Sequence, residues 1–167
     1  MKRFLALAVL VGLTAPAFAQ PQQNCHQERK HDFDFWVGEW EVTTGGQPAG
    51  VNTIAAVMDG CALLENWTGT SGGQGKSLNF YNPIIGKWQQ FWVAQNGVPL
   101  HLTGGYADGK MILEGETPGP NGGTVQNRIT WFNNEDGTVR QLWEASSDAG
   151  ATWTVAFDGL YTRKKGE

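Results

Sequence analysis

From Gly38 onward, apolar and polar residues alternate in short runs, and each run is closed by Asn, Asp, Pro or Gly. Alternation with period 2 marks a strand with one buried face, whereas a helix buries every third or fourth residue. The pattern predicts about ten strands, near residues 38–44, 50–58, 61–70, 76–81, 87–95, 99–106, 110–116, 124–133, 138–146 and 152–163. Turn signals stand between them: Gln47 to Gly50, Asp59-Gly60, Ser71 to Gly75, Asn82 to Gly86, Asn96-Gly97, Asp108-Gly109, Pro118 to Gly123, Asp136-Gly137 and Asp148 to Gly150. These carry the residue types that tight turns require. Every connection is of hairpin length, and no intervening stretch is long and 3.6-periodic enough for a crossover helix, which argues against a parallel sheet. The expected fold is all-β, an antiparallel up-and-down barrel whose closure removes exposed edges. A two-sheet sandwich is the alternative.

The stretch His31 to Thr44, HDFDFWVGEWEVTT, organises the start of this pattern. Phe33, Phe35 and Trp36 crowd ahead of Gly38, where the chain can turn tightly, and the first strand follows at once. A barrel must be sealed against water at one end, so these rings form a plug segment, and Trp40 at the start of the first strand is expected to bury in the floor. An ordinary core Trp in another β fold is the competing reading. The Gly38-x-Trp40 pattern resembles the first-strand signature of the calycins, the lipocalins and their relatives.

Shared faces supply the candidate site. Trp88, Gln90 and Trp92 must point one way, as must Glu65 with Trp67, Asn127 with Ile129 and Trp131, and Gln141 with Trp143. Each set mixes a large ring with a polar group. A face that is purely core would be aliphatic, whereas this mixture suits a lumen that buries the apolar body of a ligand and orients its polar atoms. The candidate ligand-binding residues are therefore Glu65, Trp67, Trp88, Gln90, Trp92, Asn127, Trp131, Gln141 and Trp143. Two alternatives stay open: a solid core with self-paired polar groups, or rings on an outer oligomer interface.

The N-terminus changes the address. Lys2 and Arg3 precede an apolar run from Phe4 to Leu13, and Ala17-Phe18-Ala19 offers a small-x-small cleavage pattern before Gln20. Residues 1–19 read as a secretory signal peptide and 20–167 as one barrel domain, exported to the periplasm or beyond. The run is too short to span a bilayer comfortably, and no membrane association is expected after its removal. In that oxidising setting Cys25 and Cys61, the only cysteines, are expected to form a disulfide, with two free thiols as the alternative. Two cysteines make no zinc site, and His26 and His31 add no recognised spacing, so no metal is expected. Gly 23 and Trp 8 in 167 residues, with 17% charged, suit many short strands joined by turns. A net charge of −4 and pI near 5.3 argue against a nucleic acid or an anionic membrane as partner.

Ser146-Ser147-Asp148-Ala149-Gly150-Ala151-Thr152-Trp153 fits the Asp-box pattern S-x-D-x-G-x-x-W of secreted β proteins. Asp148 would accept hydrogen bonds from the turn, Gly150 would take a positive φ and Trp153 would pack beneath the hairpin. That is a folding device rather than a catalytic one. The stretches FDFWVGEWEV (33–42), GCALLENWTG (60–69), GKSLNFYNP (75–83), VRQLWE (139–144) and WTVAFDGLYTRK (153–164) occur in an order that resembles a family of exported bacterial proteins of unassigned activity, the DUF1579-type family, close to the calycins. The resemblance covers His31 to Lys164. It implies a lipocalin-like barrel, and in the wider class a basic residue of the last strand packs over the first-strand Trp. Arg163 is the candidate, with Lys164 as the alternative.

Signatures of catalysis are sparse. The chain has no G-x-S-x-G elbow, no phosphate-binding glycine loop and no H-E-x-x-H. Glu65, Glu114, Glu144 and Asp158 lie on separate strands, and a carboxylate pair acts only at a defined separation. His101, between Leu100 and Leu102, is the one strand histidine that could meet a haem iron as in haem-binding barrels, yet inward-facing neighbours would turn it outward. The sequence thus predicts a barrel that binds a small, partly apolar molecule without a cofactor, and leans away from an enzyme. A barrel isomerase or hydrolase, a haem carrier and an interaction module with a filled core are the rivals, and oligomeric state is left open.

Overall fold

The alternation is realised as ten antiparallel strands in a computed structural model that describes Cys25 and residues 28–165. The predicted signal peptide, residues 1–19, lies outside them. The strands are β1 (Gly38–Thr44), β2 (Gln47–Val57), β3 (Ala62–Gly69), β4 (Gln74–Asn82), β5 (Lys87–Ala94), β6 (Pro99–Ala107), β7 (Lys110–Pro118), β8 (Thr124–Asn133), β9 (Val139–Ser146) and β10 (Thr154–Arg163). Each pairs with its sequence neighbours, and β10 closes back on β1, giving an up-and-down barrel. The sandwich is thereby excluded.

Several boundaries move from the sequence expectation: β4 starts at Gln74 rather than 76 and β7 runs to Pro118 rather than 116, and two further shifts have a local cause. The first turn is made by Gly45 and Gly46, at φ 57° and 75°, rather than by Gln47 to Gly50. Two successive positive φ values build the tight turn whose twist matches the flanking strands. Gln47 to Gly50 are thereby free to extend β2, and Pro48 is tolerated beside the register shift between Val42 and Thr43. β10 begins at Thr154, two residues later than expected, because the Asp box uses Thr152. Ser146 Oγ bonds Asp148 Oδ1 at 2.7 Å and accepts from the Gly150 amide at 2.9 Å, while Thr152 donates its amide at 2.9 Å and its hydroxyl at 2.6 Å to Asp148. Those donors hold the Asp148 carboxyl down at about 2, and Gly150 sits at φ 85°. Trp153 lies half-buried under the Arg128 guanidinium, 4.2 Å from its ring centroid.

The plug seals one end. Short 3-10 turns over Glu28–His31 and Asp34–Trp36 carry Phe33 and Trp36 into the barrel, where both are fully buried. The Phe33 ring stacks on Trp36 at 4.9 Å and meets Trp88 and Trp131 edge-on at 5.7 and 5.2 Å. Such pairs add roughly 0.5–1.5 kcal/mol each beyond burial. Trp40 is buried with them and donates its Nε1 hydrogen to the Trp36 carbonyl at 2.9 Å. Arg163, its register partner on β10, lies 4.5 Å over the Trp40 ring and donates to the Val37 carbonyl at 3.1 Å. Gly38 sits at φ 145°, which favours glycine, and a methyl there would stand 2.5 Å from Arg163 Nη1 and push the guanidinium aside. Cys25 and Cys61 form the disulfide, with their Cα atoms 5.4 Å apart, tying the segment before the plug to the entry of β3. A bond of this kind fits an oxidising compartment. No helix among the described residues is long and apolar enough to cross a membrane.

Candidate functional site

Above the floor the lumen changes character. A polar layer comes first, built on Glu65 of β3, whose side chain is 4% exposed. Asn52 of β2 donates to its Oε1 at 2.7 Å and Ser77 of β4 to its Oε2 at 2.5 Å. The network continues along the wall: Asn79 donates to Ser77 Oγ at 2.8 Å, Gln90 donates to Asn79 Oδ1 at 2.8 Å, and the Tyr161 hydroxyl donates to Gln141. Period-2 alternation makes this possible. Ser77 and Asn79 share a face on β4, and register sets Ser77 opposite Glu65 and Asn79 opposite Gln90.

Burial pushes the Glu65 carboxyl up to about 7, while the bonds from Ser77 and Asn52 pull the other way. Desolvation wins because two neutral donors replace only part of the hydration a carboxylate loses. The same burial, reinforced by the negative charge of Glu65, lifts the Tyr161 hydroxyl well above its ordinary value. Asn52 Oδ1 is buried without a partner among the described residues. With its amide turned over, that oxygen would accept the proton of a neutral Glu65.

The outermost layer is aromatic. Trp67, Trp92, Trp143 and Phe157 stand half-buried at the open end around a cavity of about 230 Å³, which Glu65, Gln90, Leu100, Ile129, Gln141, Ala156 and Tyr161 also line. What keeps this end hollow is glycine. A methyl at Gly75 would overlap the Trp92 ring, one at Gly50 would lie 2.7 Å from the Trp67 ring, and one at Gly159 would overlap Phe157. Each ring lies against a wall position that has no side chain. Trp143 is held differently: its Nε1 hydrogen goes to Asn127 Oδ1 at 3.0 Å.

Six of the nine residues singled out from the sequence line this cavity: Glu65, Trp67, Gln90, Trp92, Gln141 and Trp143. Trp88 and Trp131 face inward too, but lie deeper, in the aromatic floor against Phe33. Asn127 stands behind Trp143 and also donates to Thr117 Oγ1 at 3.0 Å, so it positions a lining ring rather than lining the cavity. The five indoles all point inward, so none of them forms an outer patch. Solid core and hollow lumen are both present, at different depths.

Several cavity and network residues escaped sequence reasoning. Asn52, Ser77 and Asn79 were accessible through the same alternation that singled out Gln90, but no aromatic neighbour drew attention to them. Phe157 and Ala156 were obscured by the irregularity between Val155 and Phe157, where the register of β10 against β9 shifts and two successive residues both reach the lumen. His101 is exposed, stacked on Phe91 with ring centroids 4.0 Å apart, and its Nε2 is 3.1 Å from Gln89 Nε2 on the outer face. Of the other strand carboxylates, Glu144 pairs with Arg128 at 3.0 Å and Asp158 with Arg140 at 2.7 Å, both away from the lumen. Among the described residues no group of three or more His, Cys, Asp and Glu side chains is arranged to hold a metal. A scan against models of known protein families finds no match, and a search of curated proteins finds none either.

Proposed function

We propose that this protein is an exported, lipocalin-like barrel that binds one small, partly apolar molecule in the open end of its lumen. The observation that carries this reading is the set of rim rings folded onto glycine positions. Packing forces favour filling an apolar interior, and three glycines that hold Trp67, Trp92 and Phe157 against the wall work in the opposite direction. The hollow of about 230 Å³ is smaller than the ~300–1,000 Å³ typical of drug-sized ligands. The occupant is therefore small, with an apolar body against the rings and a polar end toward Glu65, Gln90 and Gln141. The signal-like residues 1–19 and the Cys25–Cys61 bond support export, and the resemblance to the DUF1579-type family supports the lipocalin-like assignment.

Titration with a neutral naphthyl probe should quench tryptophan emission with a stoichiometry near one. Gly75→Ala should weaken that binding at least tenfold by driving Trp92 into the cavity, at a cost of about 1–3 kcal/mol in stability from overpacking. Probe binding unchanged by Gly75→Ala would remove the lumen from consideration.

A second reading is favoured by one observation, the carboxyl of Glu65 held at about 7 inside a cavity, where a general acid–base works best near neutral pH. Under it, a ligand captured from host extract and identified by native mass spectrometry would be converted by the parent protein and only bound by Glu65→Gln.

A further inference from the structure

The lumen is electrostatically one-sided. Among the described residues Glu65 is the only carboxylate lining the cavity, and no lysine, arginine or histidine joins it there. Cations of the surrounding strands are committed elsewhere. Arg128 pairs with Glu144 and Arg140 with Asp158, Lys76 bonds Asn66 across the outer face of β3 and β4, and Arg163 caps Trp40 in the floor. A buried carboxylate with two neutral donors and no counter-charge is an unfinished ion pair. An anionic ligand would bring a second negative charge beside it with nothing to compensate. A neutral ligand would leave the deficit as it is.

The surrounding rings supply the complementary half. Trp67, Trp92, Trp143 and Phe157 surround the mouth, with Trp67 and Phe157 edge-to-face at 6.0 Å. Indole faces are the strongest cation–π partners among side chains, and several of them around one carboxylate can take the place of water about a desolvated ammonium group. Resting on the lumen-binding reading above, we propose that the ligand is a small organic cation, an amine or quaternary ammonium compound, whose charged nitrogen lies against Glu65 and whose apolar part lies among the rim rings.

Binding is then linked to the ionisation of Glu65, because the cation pairs with the carboxylate and not with the neutral acid. The polar groups facing Glu65 are Asn52 from β2, Ser77 from β4 and Tyr161 from β10, and Gln90 from β5 joins through Ser77 at 3.5 Å. Of these only Tyr161 titrates, and it does so far above neutrality. A cation without a titrating proton therefore reads the state of Glu65 alone.

The test measures three phenyl compounds of similar size by isothermal titration or ligand-observed NMR: phenyltrimethylammonium, its neutral isostere tert-butylbenzene, and benzoate. The parent protein at pH 8 should bind phenyltrimethylammonium at least tenfold more tightly than tert-butylbenzene, with benzoate weakest. Between pH 6 and pH 8 the affinity for the cation should rise about tenfold, as the competent carboxylate form grows, while that for the neutral isostere stays level. Glu65→Gln should abolish the cation's advantage and its pH dependence. The pH series on the parent protein decides the matter even if that variant folds poorly. Equal binding of cation and isostere at both pH values, or tighter binding of benzoate, would overturn the cation assignment and leave lumen binding standing. Failure of all three to bind would overturn the lumen reading itself.

Discussion

The two ends of this barrel use the same residue for opposite purposes. At the closed end Trp36, Trp40, Trp88 and Trp131 are buried against one another and Phe33. Trp40 and Trp88 donate their N–H groups to the Trp36 carbonyl at 2.9 Å and to Asp32 at 3.4 Å, whereas Trp36 and Trp131 hide theirs without a partner among the described residues, so packing carries much of the floor's stability. At the open end Trp67, Trp92 and Trp143 are half-buried, and each is held back, Trp67 and Trp92 by glycine and Trp143 by Asn127. Trp88 and Trp92 show the contrast on one strand. They share a face, stand roughly 13 Å apart at the usual rise per residue, and belong to different environments. An inward-facing ring becomes core or lining according to whether the position it would fill is met by a plug or left open.

The comparison makes its sharpest prediction in that pair. Trp88→Ala should cost about 3–5 kcal/mol of stability, the range for emptying a buried Trp site, and Trp40→Ala should behave in the same way. Trp92→Ala should cost less than about 2 kcal/mol and act mainly on probe binding. Urea denaturation of the three variants measures the difference, and equal losses at positions 88 and 92 would erase the distinction between floor and rim.

Next in size is the staple at the closed end. Cys25 and Cys61 are separated by 36 residues, and on the chain-entropy estimate closing that loop stabilises by about 4 kcal/mol. Cys25→Ser with Cys61→Ser should lower the urea midpoint accordingly and leave the affinity for the neutral probe within twofold, since the bond lies at the opposite end from the cavity. A large loss of affinity would mean that floor and mouth are mechanically coupled.

The smallest effect belongs to the polar layer between them. Glu65 has an ordinary value near 4.5 when unfolded and about 7 when folded, so across that interval the native state holds a proton that the unfolded chain has lost. The contribution to stability is full below pH 4.5 and is lost as pH rises to about 7, amounting to about 3 kcal/mol. Denaturation at pH 5 and pH 8 should show the parent losing stability with rising pH and Glu65→Gln losing much less. The carboxyls of Asp148 and Asp158 are held below their ordinary value, so their contribution is complete by pH 5 and does not vary across this range. A parent whose stability failed to fall between pH 5 and pH 8 would mean that Glu65 does not hold its proton in the folded barrel.

The residues legible from sequence alone were those whose position follows from local geometry. Period-2 alternation determined which way Glu65, Trp67, Gln90, Trp92, Gln141 and Trp143 point, and turn chemistry placed nearly every hairpin, because both depend on neighbours a few residues away. Arg163 over Trp40 was legible through resemblance. What tertiary structure decided was depth and company. Nothing local separates Trp88 from Trp92, since the difference is made by Phe33 and Trp36 entering from a segment more than fifty residues earlier. Nothing local reveals that Gly75 makes room for Trp92, because the two meet only across the β4–β5 pairing. The hydrogen-bond partners of Glu65 arrive from β2 and β4, and a carboxyl acquires its proton affinity from what surrounds it in space. Alternation is a property of the strand; a cavity belongs to the closed barrel, which exists only once β10 has found β1.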